Sequence, residues 1–182
     1  NFFEEPVRTI AAELLTGLEG GGEIDVMNDF AAPLSSQVAA HLTGVPAADR
    51  PLMDRNVRRF FTHDPALGAI SEDGVRAVEE VNEYCANLVE SRRRMSRIPN
   101  DAIDSLFLFE EQQGRRLPPE EAGMMLGMLV VGAAETTAKA ITLLVSLLDE
   151  FPDQRRILLA DPSLIPDAFN EGLRYDNPTQ FL

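Results

Sequence analysis

From Ala122 to Leu148 the chain reads AGMMLGMLVVGAAETTAKAITLLVSLL, a run that is apolar on nearly all sides of a helix. Pro118-Pro119-Glu120-Glu121 stands before it: prolines at a helix entrance, then acids at the positive end of the dipole. The pattern predicts one helix to about Glu150, some 32 residues long, or roughly 48 Å. Such a helix belongs inside a large protein or a membrane. Glu135 and Lys139 lie near its middle, where each charge costs at least about 2.5 kcal/mol in a bilayer. The expectation is therefore a protein core and no membrane. Within that core, a carboxylate at Glu135 needs a partner, a water channel or a reaction to justify it.

The rest of the chain is helical almost throughout, punctuated by proline and glycine. Helices are expected at Pro6–Leu18, from a cap at Asn28 or Asp29 to Gly44, at Ala47–Phe61, and from a Ser71 cap to about Met95. Further helices are expected at Asn100–Glu111, from Pro152 to just before Asp161, and from Pro166 to near Asn177. Glu23–Met27 is the strand candidate, and THDPALGAI after Phe61 reads as a looser stretch. The fold class is mainly α with a minor short strand.

Composition excludes several functions. A net charge of −14 argues against a nucleic-acid partner, and the arginine run Arg92–Arg97 lacks interleaved aromatics and ends a helix, where cations suit the dipole. One cysteine, Cys85, and two histidines, His41 and His63, exclude an internal disulfide and a four-ligand Cys/His zinc site, and no metal ligand set is expected. The first residues, NFFEEPVRT, lack the basic start and apolar run of a signal peptide, so the expected location is cytoplasmic. Both ends read as cut, and residues 1–182 as part of a larger single-domain protein.

Two constellations carry chemistry. Met128, Leu129, Gly132, Ala133 and Thr136 share one helix face, where small residues would let a bulky planar group approach the backbone. Thr136 can bond back to the Gly132 carbonyl, loosening the helix beside an acid suited to proton delivery. The competing reading is helix packing through small residues, with Glu135 paired to Lys139 at i,i+4. The second constellation is Glu171 and Arg174, three apart in NEGLRYDNP at the end of a helix. Alone that spacing describes a surface pair.

Together, Gly132-Ala133-Ala134-Glu135-Thr136-Thr137 and Glu171-x-x-Arg174 resemble the cytochrome P-450 family of haem-thiolate monooxygenases, soluble bacterial branch. The resemblance covers essentially the whole chain but only part of a family member, without the N-terminal segments and the C-terminal loop bearing the ligand cysteine. It implies that Glu135 and Thr136 are catalytic and that Gly132, Ala133 and Thr136 lie against haem. Met128, Leu129 and Thr137 would face a small apolar substrate, and Glu171–Arg174 would be a buried structural ion pair, expensive to break. Ala133 stands where the family usually has glycine, which narrows the groove.

The resemblance further implies O2 as co-substrate, a ferredoxin-type electron donor and a place in secondary metabolism. The Ala47–Met95 region would roof the pocket, with Phe60, Phe61 and Leu67 as lid candidates. Cys85, in an amphipathic helix, is a packing residue in this frame, and the chain by itself is expected to be inactive. The alternative is a haem-free relative that stabilises a partner enzyme such as a glycosyltransferase.

Overall fold

A computed structural model of the chain describes residues 3–64, 68–95 and 101–179. Leu67, Ser96 and Arg97 lie outside those residues, as does the His63 side chain. The helices are α1 (Glu4–Leu18), α2 (Ala32–Thr43), α3 (Arg50–Phe60), α4 (Glu72–Arg93), α5 (Ala102–Gln113), α6 (Pro119–Glu150), α7 (Pro152–Ala160) and α8 (Ile165–Tyr175). Most ends follow their local signals. The Ser71 hydroxyl accepts from the Gly74 amide to open α4, Asp101 caps α5, and Gly44 closes α2 in the left-handed region at φ 76°.

The strand expected at Glu23–Met27 does not form. Val26–Ala31 is instead a π-helical segment leading directly into α2. Asp25 accepts from the backbone and side-chain nitrogens of Asn28 at 3.0 and 2.7 Å, while Asp29 accepts from the Asp25 amide at 2.7 Å. These reciprocal local bonds satisfy the helix entrance and outcompete an extended conformation that has no neighbour to pair with. The cap is thus Asp25, three residues ahead of Asn28. The β-structure lies in the stretch read as loose, where β1 (His63–Asp64) pairs antiparallel with β2 (Ala69–Ile70).

α6 is the axis of the molecule. α4 packs along one side of it and α2 along another, with α3 and α5 filling the corners. Val81, Cys85 and Val89 recur every four residues on α4 and meet Ala122, Leu126 and Val130 of α6 in one apolar cluster. Close approach of the two helices depends on glycine. A Cβ at Gly123 would stand 2.5 Å from the Asn82 carbonyl oxygen and 2.9 Å from the Ala86 amide nitrogen, both on the α4 backbone. Backbone cannot rotate away as a side chain does, so Gly123→Val is expected to destabilise the fold by about 3 kcal/mol. A urea titration showing an unchanged midpoint would contradict this packing.

Where α4 ends, its arginines pair within the chain. Arg93 clasps Glu110 through both guanidinium nitrogens at 2.6 and 2.5 Å, with its plane 4.8 Å from the centre of the Phe107 ring. Arg92 meets Asp101 at 2.9 Å. α6 is also long and apolar enough to cross a membrane, the one such helix among the described residues. Its outer face, including Met124, Met125, Met128 and Leu129, is exposed.

Candidate active site

The middle of α6 carries the site. The Thr136 hydroxyl donates to the Gly132 carbonyl at 2.6 Å, the back-bond expected for a threonine four residues on. At Gly132 a Cβ would meet nothing within 4 Å, so the face above this turn is open. Met128 (74% exposed) and Leu129 (45% exposed) continue it toward the N-terminus of the helix, and Ala133 leans partly into the core. Thr137 is exposed as well.

Glu135 points elsewhere. Its carboxylate takes Lys139 at 3.0 Å, and its side chain keeps 27% exposure, which is less burial than the apolar surroundings in sequence imply. It lines a small cavity of about 230 Å³ between α2, α3 and α6, with Ser36, Asp54, Arg58 and Phe61 in the wall. The Lys139 ammonium also lies 5.5 Å from the Phe61 ring centre. The i,i+4 pairing and the threonine back-bond therefore coexist. Acid and alcohol sit on adjacent residues, one turned to a cavity of mixed polar and apolar lining and the other to the open face.

Ser35 of α2 joins this turn and was missed in the sequence. Its buried hydroxyl lies 2.9 Å from the Ala133 carbonyl oxygen and also contacts that of Ala134. No sequence signal marks a contact across 98 positions.

The buried ion pair expected of Glu171 and Arg174 is an exposed one in this chain. The guanidinium and carboxylate meet in two bonds of 2.7 Å, but the side chains are 60% and 69% exposed. α8 reaches α6 through the other side, where Gly172 faces Leu144, so the pair is left on the outer face in solvent. A solvated pair is screened and stabilises little. It still holds Glu171 below the usual carboxylate range through the hydrogen bonds from Arg174. Cys85 is enclosed on the inner face of α4, and burial pushes its thiol up to about 12, which opposes thiolate formation. Phe60 and Phe61 stack edge to face at 4.9 Å and pack against the core.

No protein-family model matches the chain. It is 35% identical over 179 residues to vitamin D(3) 25-hydroxylase of Pseudonocardia autotrophica, covering 98% of this chain and 42% of that protein. It is 33% identical over 174 residues to cyclomarin C epoxidase CymV of Salinispora arenicola, covering 93% and 43%. Among solved structures, P450BioI in complex with an acyl carrier protein ligated to hexadec-9Z-enoic acid superposes with a TM-score of 0.83 at 30% identity, over 98% of this chain and 46% of that one. Likeness in sequence runs with likeness in fold along nearly the whole chain, and the shared class is that of bacterial P-450 oxygenases. Along nearly its whole length the chain is similar to part of the cytochrome P-450 family, and it spans about two fifths of the length of the curated relatives it matches.

The haem of these relatives would find room over Gly132, where a Cβ would meet nothing within 4 Å and the open face fits one side of a flat apolar macrocycle. The enclosed Cys85 is unsuited to ligate its iron. The residues present would therefore hold one face of the group without ligating its iron.

Proposed function

We propose that the full-length protein is a haem-thiolate monooxygenase inserting one oxygen atom of O2 into a small apolar substrate, with this chain forming the distal wall and roof of the pocket. The observation that carries the reading is the α6 turn itself: an alcohol on an open, glycine-floored face, next to an acid turned to a cavity that Ser36, Asp54 and Arg58 also line. The names of the relatives, a hydroxylase and an epoxidase, support oxygen insertion. When bound, a thiolate-ligated haem supplies the electron density that favours O–O cleavage.

The chain's own residues handle protons and exclude water. The Thr136 hydroxyl spends its hydrogen on the Gly132 carbonyl, leaving its oxygen to accept a hydrogen bond from a water on the open face. Glu135, paired to Lys139, is the group that carries a proton in from its cavity. Gly132 and Ala133 keep the wall low for haem, while Met128, Leu129 and Thr137 meet the substrate, with apolar contact as the main determinant. Phe60 and Phe61 belong to the moving roof. Glu171–Arg174 supports the haem-binding core once the rest of the fold covers α8. Electrons come from a ferredoxin-type donor, and the protein works in the cytoplasm, in secondary metabolism.

The test is the visible spectrum of the reduced, full-length protein under carbon monoxide. A strongly red-shifted Soret band is expected. A protein without haem absorption would instead be the haem-free auxiliary type, and the monooxygenase reading would fall. In the active enzyme, Thr136→Ala is expected to leave O2 consumption running while product per O2 drops by about tenfold. An unchanged ratio would remove Thr136 from the relay.

A further inference from the structure

We propose that Ser35 is a positioning residue for the proton relay, holding the Glu135-Thr136 turn of α6 in a loosened state from the side opposite the open face. Three successive carbonyls of α6 lie against a hydroxyl: Thr136 donates to Gly132, and the single Ser35 hydrogen is shared between Ala133 and Ala134. One donor belongs to the turn itself. The other comes from α2, is fully enclosed, and reaches the helix from its buried flank. α6 continues as helix through this turn, so the same carbonyls also face the amides of Thr136, Thr137 and Ala138.

A carbonyl oxygen has two lone pairs and can serve both donors, but the second bond draws density from the first and tilts the carbonyl away from the helix axis. Hydroxyls that bond to helix carbonyls bend and loosen helices for this reason. Here the effect is concentrated on the three carbonyls that precede the acid and the alcohol. Ser35 touches neither Glu135 nor Thr136 by any bond, so it acts through the backbone that carries them. Its neighbour Ser36 lines the cavity that Glu135 faces, so α2 presents one hydroxyl to the helix and the next to the cavity. Plain packing between α2 and α6 needs no hydroxyl.

The inference rests on the relay reading above, and its test separates the two. Amide hydrogen exchange is measured in the full-length protein and in Ser35→Ala, with Leu126 and Val130 of the same helix as internal references. Removing the competing hydroxyl should strengthen the helical bonds of Thr137 and Ala138 and slow their exchange by about fivefold, the equilibrium equivalent of one hydrogen bond. Leu126 and Val130 should not change. A residue serving only to fill space predicts the reverse sign, with faster exchange along α6 as the void loosens it, and that result would overturn the proposal.

In the same variant, product formed per O2 consumed should fall at least about twofold with KM unchanged, since misplacement of a relay group touches chemistry and not binding. Thr136→Ala runs beside it. If Thr136→Ala lowers the ratio and Ser35→Ala does not, Ser35 has no positioning role. If Thr136→Ala leaves the ratio unchanged, the relay reading itself is lost, and the functional claim for Ser35 goes with it. The exchange result then still decides whether Ser35 loosens the helix.

Discussion

Replacing Glu135 by glutamine in the full-length protein is expected to lower the rate of product formation on the order of 100-fold, the usual scale for losing a positioned proton donor. Glutamine keeps the length of the side chain and can still accept from Lys139, now 3.0 Å from the carboxylate. What it loses is the capacity to take up and release a proton. The side chain sits at a cavity where Ser36, Asp54 and Arg58 stand among apolar neighbours, while the neighbouring Thr136 looks onto the open face. Substrate binding should be preserved, because Glu135 is turned from the face that Met128 and Leu129 extend. The loss should therefore appear in kcat with KM little changed, together with a larger solvent deuterium isotope effect as proton delivery becomes limiting. Wild-type turnover with an unaltered isotope effect would reduce Glu135–Lys139 to the ordinary i,i+4 pair that the spacing alone allows.

The second large effect is structural and lies far from the site. Glu110 is 7% exposed, yet it is fully engaged by both nitrogens of the Arg93 fork and by the Leu117 amide at 2.8 Å. It thus ties the end of α4 to α5 and to the segment that enters α6. Glu110→Ala would leave the half-buried Arg93 guanidinium with Glu90, at 3.0 Å, as its one carboxylate among the described residues, and the enclosed Leu117 amide without an acceptor. The expected cost is about 3 kcal/mol, read as a shifted urea midpoint. Glu110→Gln keeps an acceptor for Leu117 and should cost less.

The acid dependence has a definite sign. The hydrogen bonds from Arg93, and then the Leu117 amide, hold the Glu110 carboxyl below its usual range. A depressed folded value means that the stabilisation is fully present above the unfolded value near 4.3 and is lost as pH falls through the folded one. The gap in stability between wild type and Glu110→Gln should accordingly be constant near neutrality and shrink below about pH 4. A gap that persists to lower pH would show that the charge on Glu110 is not what the fold uses.

Much of the architecture was legible before any coordinates. Prolines and acids in first turns placed α6 at Pro119–Glu150 and α7 at Pro152–Ala160, and Cys85, read as a packing residue of an amphipathic helix, lies on the inner face of α4. Glycine and threonine four apart foretold the back-bond in α6, and the GAAETT and Glu-x-x-Arg patterns pointed to the family. These are rules of a single turn or a single helix, and the chain obeys them wherever nothing distant competes. The strand expected at Glu23–Met27 failed where two aspartates and an asparagine closed a local cap instead.

The rest needed the third dimension. Ser35 meets Ala133 only because α2 and α6 pack together there, and Arg93 finds Glu110 only because α5 brings that carboxylate beside the end of α4. The Glu171–Arg174 pair is formed by spacing, but its exposure is set by which side of α8 faces α6. By itself, the sequence determined where helices begin and end and which residues could share a turn, since those depend on bonds to near neighbours. Which carboxylate is enclosed, which faces water and which hydroxyl reaches a foreign backbone were decided by helix packing, since burial depends on what lies across the interface.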